Sequence, residues 1–252
     1  LLADAPGLML IGLPTTRALG DVPQLAIERG AREPLTARAF RLGEALAHLG
    51  DASWCAAVGL VGRAEPHALV ERARSRHPYA DLAAIAALLD AGARGPEPAA
   101  ESLAAAEMLI AAPDPRRFLA SVAAELLRQT QEVVRVELMR ATRVRPRPGF
   151  GVVVVEYDSA CRLEDLVAER WRGLRPGTVV LVANHGAADG LVAVTARSAV
   201  PEALDRLRAT LGDEGRALVD RDTWTTLCAR LGVAPPAPER AGDLFELSAL
   251  PN

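Results

Sequence analysis

The chain has 252 residues, half of them apolar, with 24% charged residues and a formal net charge of −3. That length supports a sizeable core in one large domain or two modest ones. The near-neutral balance excludes a protein that grips nucleic acid through a broad basic surface, so any contact with a polyanion has to be local. All 29 basic residues are arginine, which reads as GC-rich coding before it reads as phosphate recognition. Cys55, Cys161 and Cys228 are far apart and lack the CxxC or Cys/His spacing of a zinc site, so they are expected as buried thiols of a reducing compartment. The apolar run 7–13 is too short to span a bilayer and has no basic leader. The expectation is a cytoplasmic protein without membrane contact.

In chain order, residues 8–11 read as a buried strand running into the turn Gly12-Leu13-Pro14. Residues 36–49 space Phe40, Leu42, Leu46 and Leu49 at helical intervals, and residues 54–61 form an apolar run closed by glycines. Residues 66–75, 79–91 and 99–111 read as three alanine-rich helices separated by turn residues. Asp114 followed by Pro115 is a helix start, with an N-cap carboxylate and proline at the first helical position. The spacing of Phe118, Val122, Leu126, Val133 and Leu138 continues from there as one long helix, ending before the proline-rich run 143–149. Beyond it, residues 152–155, 178–182 and 191–196 are β-branched strand candidates, alternating with helices at 163–171, 201–210 and 222–231. This is an α/β pattern of two lobes, the first helix-rich and the second a small α/β layer, joined by a long helix. Residues 234–252 form a Pro-rich tail that ends in an apolar segment around Leu244, Phe245 and Leu247.

Among the chemically capable residues, His185, in Asn184-His185-Gly186, is the best candidate for a functional imidazole and is expected in a loop between two strands. His48, His67 and His77 read as structural. Asp158 and Asp189 sit where strands pass into turns, where aspartate commonly bonds the backbone. Arg143, Arg145 and Arg147 form a basic linker run, either a solvated turn or a support for a nucleic-acid strand. Trp171 and Trp224 fall on apolar helical faces and read as core.

Trp54-Cys55-Ala56-Ala57-Val58-Gly59-Leu60-Val61-Gly62-Arg63 resembles a metal-site segment of the DHH phosphoesterases, the family of RecJ-like exonucleases and oligonucleotide phosphodiesterases. Thr15-Thr16-Arg17, Leu88-Leu89-Asp90-Ala91 and Ala111-Ala112-Pro113-Asp114-Pro115 fall in the matching order. Val194-Thr195-Ala196-Arg197-Ser198 is similar to the Ser-x-Arg-Ser strand end of the DHH-associated domain. The resemblance implies a partial, degenerate DHH-type domain at 1–112, a linker helix at 113–145, a DHH-associated α/β domain at 146–233 and a tail at 234–252. It also implies phosphate contact through Arg197 and Ser198, with His185 as a further candidate.

Active members of that family use paired Mn²⁺ or Mg²⁺ held by several Asp and His side chains. Here the Asp-His-His position after the first strand reads Gly12-Leu13, and a later ligand aspartate is replaced by Arg63. The Gly-Gly-Gly-His loop of the second domain is reduced to Gly212-Asp213-Glu214-Gly215-Arg216. A guanidinium about 4 Å from a dication, at an effective dielectric near 20, would be repelled by roughly 8 kcal/mol. The expectation is therefore a homologue without catalytic residues or a resident metal cofactor, one that keeps single-stranded nucleic-acid or nucleotide binding in its C-terminal domain. Two alternatives stay open: an active Mn²⁺-dependent phosphodiesterase whose ligands lie upstream or on a partner, and a structural partner of an active paralogue that docks through the tail.

Overall fold

The computed structural model describes residues 10–12, 24–26, 53–61, 67–212 and 215–234. Helices and a mixed sheet make the chain an α/β protein, the class its patterning indicates. The chain forms two compact units, Leu1–Ala93 with Glu97–Glu132 and Arg94–Pro96 with Val133–Asn252. Among the described residues no helix is long and apolar enough to cross a membrane. The expected helix at 36–49, Leu13, Arg63, His48 and the tail from residue 235 onward lie outside the described residues.

In the first unit, β1 (Leu10–Gly12) pairs in parallel with β2 (Gln24–Ala26), a strand in a stretch that reads as loop. The helices are α1 (Ser53–Val58), α2 (Ala68–Arg74), α3 (Tyr79–Arg94), α4 (Pro98–Ala111) and α5 (Pro115–Leu119). Trp54, Leu82, Ile85, Phe118 and Leu127 are among the buried side chains of one core. Each such residue contributes roughly 1.5–3 kcal/mol when fully buried. Gly92 permits a close helix approach, because a Cβ there would lie 2.7 Å from Leu127 Cδ2. His67 is the N-cap of α2, where its ring accepts the Leu69 N–H at 3.2 Å. Asp114 caps α5 by accepting the Arg117 N–H at 3.0 Å, with Pro115 at the first helical position.

The expected single long helix is instead two. α5 stops at Leu119, and α6 (Val122–Thr142) starts afresh, with Ser121 Oγ accepting the Ala124 N–H at 3.2 Å. A serine that satisfies an orphan donor at a helix start competes with continued helix, and the apolar spacing alone does not register that competition.

The second unit is built on a five-stranded sheet in the order β3-β4-β5-β6-β7: β3 (Arg147–Gly149), β4 (Val152–Tyr157), β5 (Val179–Ala188), β6 (Leu191–Arg197) and β7 (Arg216–Asp220). Only β4 and β5 are parallel, joined by a crossover through α7 (Glu164–Leu174). Sequence patterning indicates β4, β5 and β6. It misses β3 and β7, which lie at the two edges, where a short strand carries little apolar signal. The central β5 is buried from Val179 through Asn184. A strand covered on both faces reads as a continuous apolar run rather than an alternation. On one face Val154, Leu181 and Val194 pack with Trp224 and Leu227 of α9 (Arg221–Arg230) and with Leu211 of α8 (Arg208–Leu211), which follows a 3-10 turn at Pro201–Leu207. On the other face Val155, Val180 and Val182 pack with Val167 and Ala168 of α7 and with Val134 and Ala141 of α6.

α9 ends on a glycine. Gly232 has φ +66°, its N–H reaches Ala229 O at 3.0 Å, and Val233 N–H reaches Cys228 O at 3.0 Å. These paired bonds satisfy the last carbonyls of the helix and require the left-handed conformation. A Cβ at Gly232 would collide with the Phe150 ring, but that ring is 74% exposed and can move, so the backbone term dominates. Gly232→Ala is expected to lower stability by ~1–2 kcal/mol in urea unfolding, and the same loss is expected in Gly232→Ala/Phe150→Ala.

Candidate functional site

The parallel pair β4 and β5 ends on one side of the sheet, the place where open α/β sheets offer a crevice for ligands. The last paired residues are Tyr157 and Asn184. Asn184 is fully buried and uses its whole amide: Oδ1 accepts Ser159 N–H at 3.0 Å and Gly186 N–H at 3.1 Å, while Nδ2 donates to Cys161 O at 3.0 Å and Glu164 Oε1 at 2.8 Å. The segment after β4 is thereby tied to the end of β5. Gly186 allows the contact, since a Cβ there would collide with Asp158 Oδ1 and lie 2.7 Å from Ser159 N.

His185 lies within β5 rather than in the expected loop. The β5–β6 register jumps between the pairs Asn184↔Ala193 and Ala188↔Leu191, so β5 carries extra residues there. Such a bulge bends the strand and re-aims its side chains, and next to a glycine it looks like a turn in sequence.

A pocket of about 550 Å³ opens here. Its polar lining comes from Arg147 on β3, Glu156 and Asp158 at the end of β4, His185 on β5, and Arg221 and Thr225 on α9. Trp224, Cys228, Ala229 and Val233 supply the apolar wall. Glu156 is the hub. Oε1 accepts the indole N–H of Trp224 at 2.6 Å and lies 3.4 Å from His185 Nε2, while Oε2 pairs with Arg147. Arg147 is thus neutralised by Glu156, and it also donates to Ala234 O. Arg143 and Arg145, its companions in the basic run, are exposed. Arg221 is exposed and has no ion-pair partner among the described residues.

Burial holds His185 below its ordinary value of 6.5, with the charges of Arg221 and Arg147 acting the same way and Asp158 opposing them. Burial thus disfavours the charged ring, whose Nε2 faces the Glu156 carboxylate at 3.4 Å. The Cys228 thiol is pushed up by burial, against a smaller pull from Arg147. It stays protonated and is a poor nucleophile. Cys55 is raised to about 11 by burial, and all three cysteines are free thiols.

Arg197 stands in a different cluster. It pairs with Asp165 of α7 at 2.7 Å and donates to Ala196 O at 2.9 Å. Arg216 also reaches Asp165, at 2.5 Å. Ser198 Oγ accepts the Val200 N–H at 3.1 Å, an arrangement that organises the local turn. Asp189 lies in the β5–β6 turn beside Gly190, whose φ is +71°, and does not line the pocket. Trp224 is a core residue, as expected, at 3% exposure. Trp171 is half-buried against the core on the opposite face. Of the sequence candidates, the pocket thus gathers His185, Asp158 and Arg147. It adds Glu156, which the apolar run of β4 does not single out, and Arg221 and Thr225, whose sequence cue is the N-cap Asp220 that starts α9.

Among the described residues no three His, Cys, Asp or Glu side chains come together as metal ligands would. The positions that the family resemblance assigns to metal lie mainly among residues not described. The chain matches no protein-family model and no curated protein.

Because burial lowers the His185 pKa in the folded protein, the unfolded chain takes up that proton first as the pH falls below 6.5. This contribution leaves stability at its full value above 6.5 and lowers it as the pH falls from there toward the folded pKa. Titration of the His185 ring by NMR is expected to give a midpoint below 6.5, and Arg221→Ala to move it upward.

Proposed function

We propose that this protein is a degenerate DHH-type phosphoesterase homologue, catalytically silent, whose C-terminal unit binds a nucleotide or the end of a single-stranded nucleic acid. The observation that carries the reading is the pocket beyond β4 and β5, where Arg221, unpaired among the described residues, stands with His185, Thr225 and the Asp158 carboxylate. A guanidinium suits a phosphate, and a carboxylate in the same pocket suits sugar hydroxyls or a base amino group. A volume near 550 Å³ is in the range of small-molecule pockets. The charges of Arg147 and Glu156 cancel, so they shape the pocket rather than attract the ligand. Silence of the hydrolytic chemistry follows from Gly12-Leu13 and Arg63 standing where the family resemblance places metal ligands.

The Arg197 position, which the same resemblance assigns to phosphate, enters this proposal as a secondary contact, because its guanidinium is held by Asp165. A bound phosphate there would have to displace a carboxylate already in place, whereas Arg221 has no such competitor among the described residues.

The test is fluorescence anisotropy of a short labelled single strand, in the presence of Mn²⁺ and separately in chelator, with a mononucleotide as competitor. Binding is expected in both conditions, without cleavage. Arg221→Ala is expected to weaken it about tenfold, the equivalent of about 1.4 kcal/mol, and Arg197→Ala to weaken it less. Metal-dependent cleavage would overturn the silent reading. Absence of binding would overturn the nucleic-acid reading, and loss confined to Arg197→Ala would move the contact out of the pocket.

A further inference from the structure

The two edges of the five-stranded sheet differ. β3 has three residues with Pro148 at their centre, so it offers few backbone donors. β7 has five residues, Arg216-Ala217-Leu218-Val219-Asp220, with no proline, and it pairs with β6 on one side only. Nothing among the described residues pairs with its outer side. An open edge of that length, with an exposed leucine, is a template for another strand unless something blunts it. Leu218 is 61% exposed.

Which residues turn outward follows from the ladder. Ala196 N–H donates to Gly215 O at 2.8 Å, so residue 215 faces β6. By alternation residues 217 and 219 face β6 as well, and residues 216 and 218 turn their backbone groups to the open side. Side chains alternate too: Ala217 and Val219 pack toward the α9 face, whereas Arg216, Leu218 and Asp220 share the other face.

We infer that β7 is a self-association edge, which pairs antiparallel with β7 of a second copy about a two-fold axis at Leu218. The strand reads cation, small, apolar, apolar, anion, and this order is complementary to its own reverse. With Leu218 opposite its symmetry mate, each Arg216 stands directly across from Asp220 of the other copy, giving two reciprocal ion pairs on the same face as the leucine contact. Cross-strand pairs of this kind stabilise antiparallel ladders, and a two-fold arrangement uses each pair twice. Arg216 also reaches Asp165 within its own chain, yet it is half exposed and stands at the open edge, where a second carboxylate can approach it. Asp220 has acceptor capacity left. Its Oδ1 accepts the Thr223 N–H at 2.7 Å and its Oδ2 the Thr223 hydroxyl at 2.9 Å, which leaves lone pairs on both oxygens. The association also covers part of a smaller depression of about 300 Å³ lined by Asp165, Thr195, Arg216 and Leu218.

Sedimentation equilibrium over a concentration series tests this directly. The weight-average mass is expected to rise from 26.6 kDa toward twice that value. Arg216→Asp turns both ion pairs into repulsions and is expected to weaken the dimer about tenfold or more. Asp220→Arg does the same, and an equimolar mixture of the two variants is expected to recover dimer, because each then supplies the charge the other lacks. Since Asp220→Arg also removes the cap of α9, circular dichroism accompanies it, and Leu218→Glu is a second disruptive variant at an exposed position. Recovery on mixing, or loss in both Arg216→Asp and Leu218→Glu where Asp220→Arg fails to fold, supports the inference. A wild-type chain that stays monomeric, or a dimer indifferent to Arg216→Asp and Leu218→Glu, overturns it.

Discussion

The Asn184 amide is the constraint on which the second unit depends. An amide moved from water into an apolar interior without partners costs roughly 2–7 kcal/mol, and it becomes tolerable only when its donors and acceptors are all engaged. Asn184 meets that condition with four hydrogen bonds, to Ser159, Gly186, Cys161 and Glu164. Those partners come from the segment after β4, the bulged end of β5 and the start of α7. One side chain therefore sets the path of the chain leaving β4, the position of the bulge and the entry into the crossover helix. Burial raises the Glu164 carboxyl, and the Asn184 bond opposes that rise, so the same amide also helps keep the carboxylate charged at the entrance of α7.

From that tie the pocket follows. Gly186 lets Asp158 and Ser159 approach the β5 backbone, and the register change next to it presents His185 beside Glu156. Glu156 in turn connects β3 and α9 through Arg147 and Trp224. A partly buried carboxylate with a guanidinium and an indole N–H on its two oxygens is a positional device. Its Coulomb energy is largely offset by the desolvation of the pair, and its geometry holds three elements in register.

The arginines divide by the same logic. Arg147, Arg197 and Arg216 are each held by a carboxylate, whereas Arg221 stands at the first turn of α9 without one among the described residues. An all-arginine basic set gives each position the same planar fork, so function is decided by which forks the fold leaves unpaired. Pocket and β7 edge are two consequences of one sheet. The pocket forms where the parallel strands end, and the edge remains where the antiparallel meander stops.

What the amino-acid order determined by itself is what depends on near neighbours. The apolar runs of β4, β5 and β6, the helical spacing of α3 and α4, and the Asp114-Pro115 helix start are local, and each formed where its pattern indicated. His185 was legible as a candidate because an imidazole between an asparagine and a glycine is chemically conspicuous. Its place inside a strand was not, since a bulge next to glycine has the local signature of a turn. The break at Ser121 is a local cap that apolar spacing does not register, whereas the edge strands β3 and β7 and the meeting of Arg147, Glu156, His185 and Arg221 were decided only in three dimensions. Edge strands draw their stability from a single partner far along the chain, and the pocket gathers side chains from strands and a helix whose proximity is set by sheet order. Neither relation leaves a periodic trace in the sequence, so packing alone made the site.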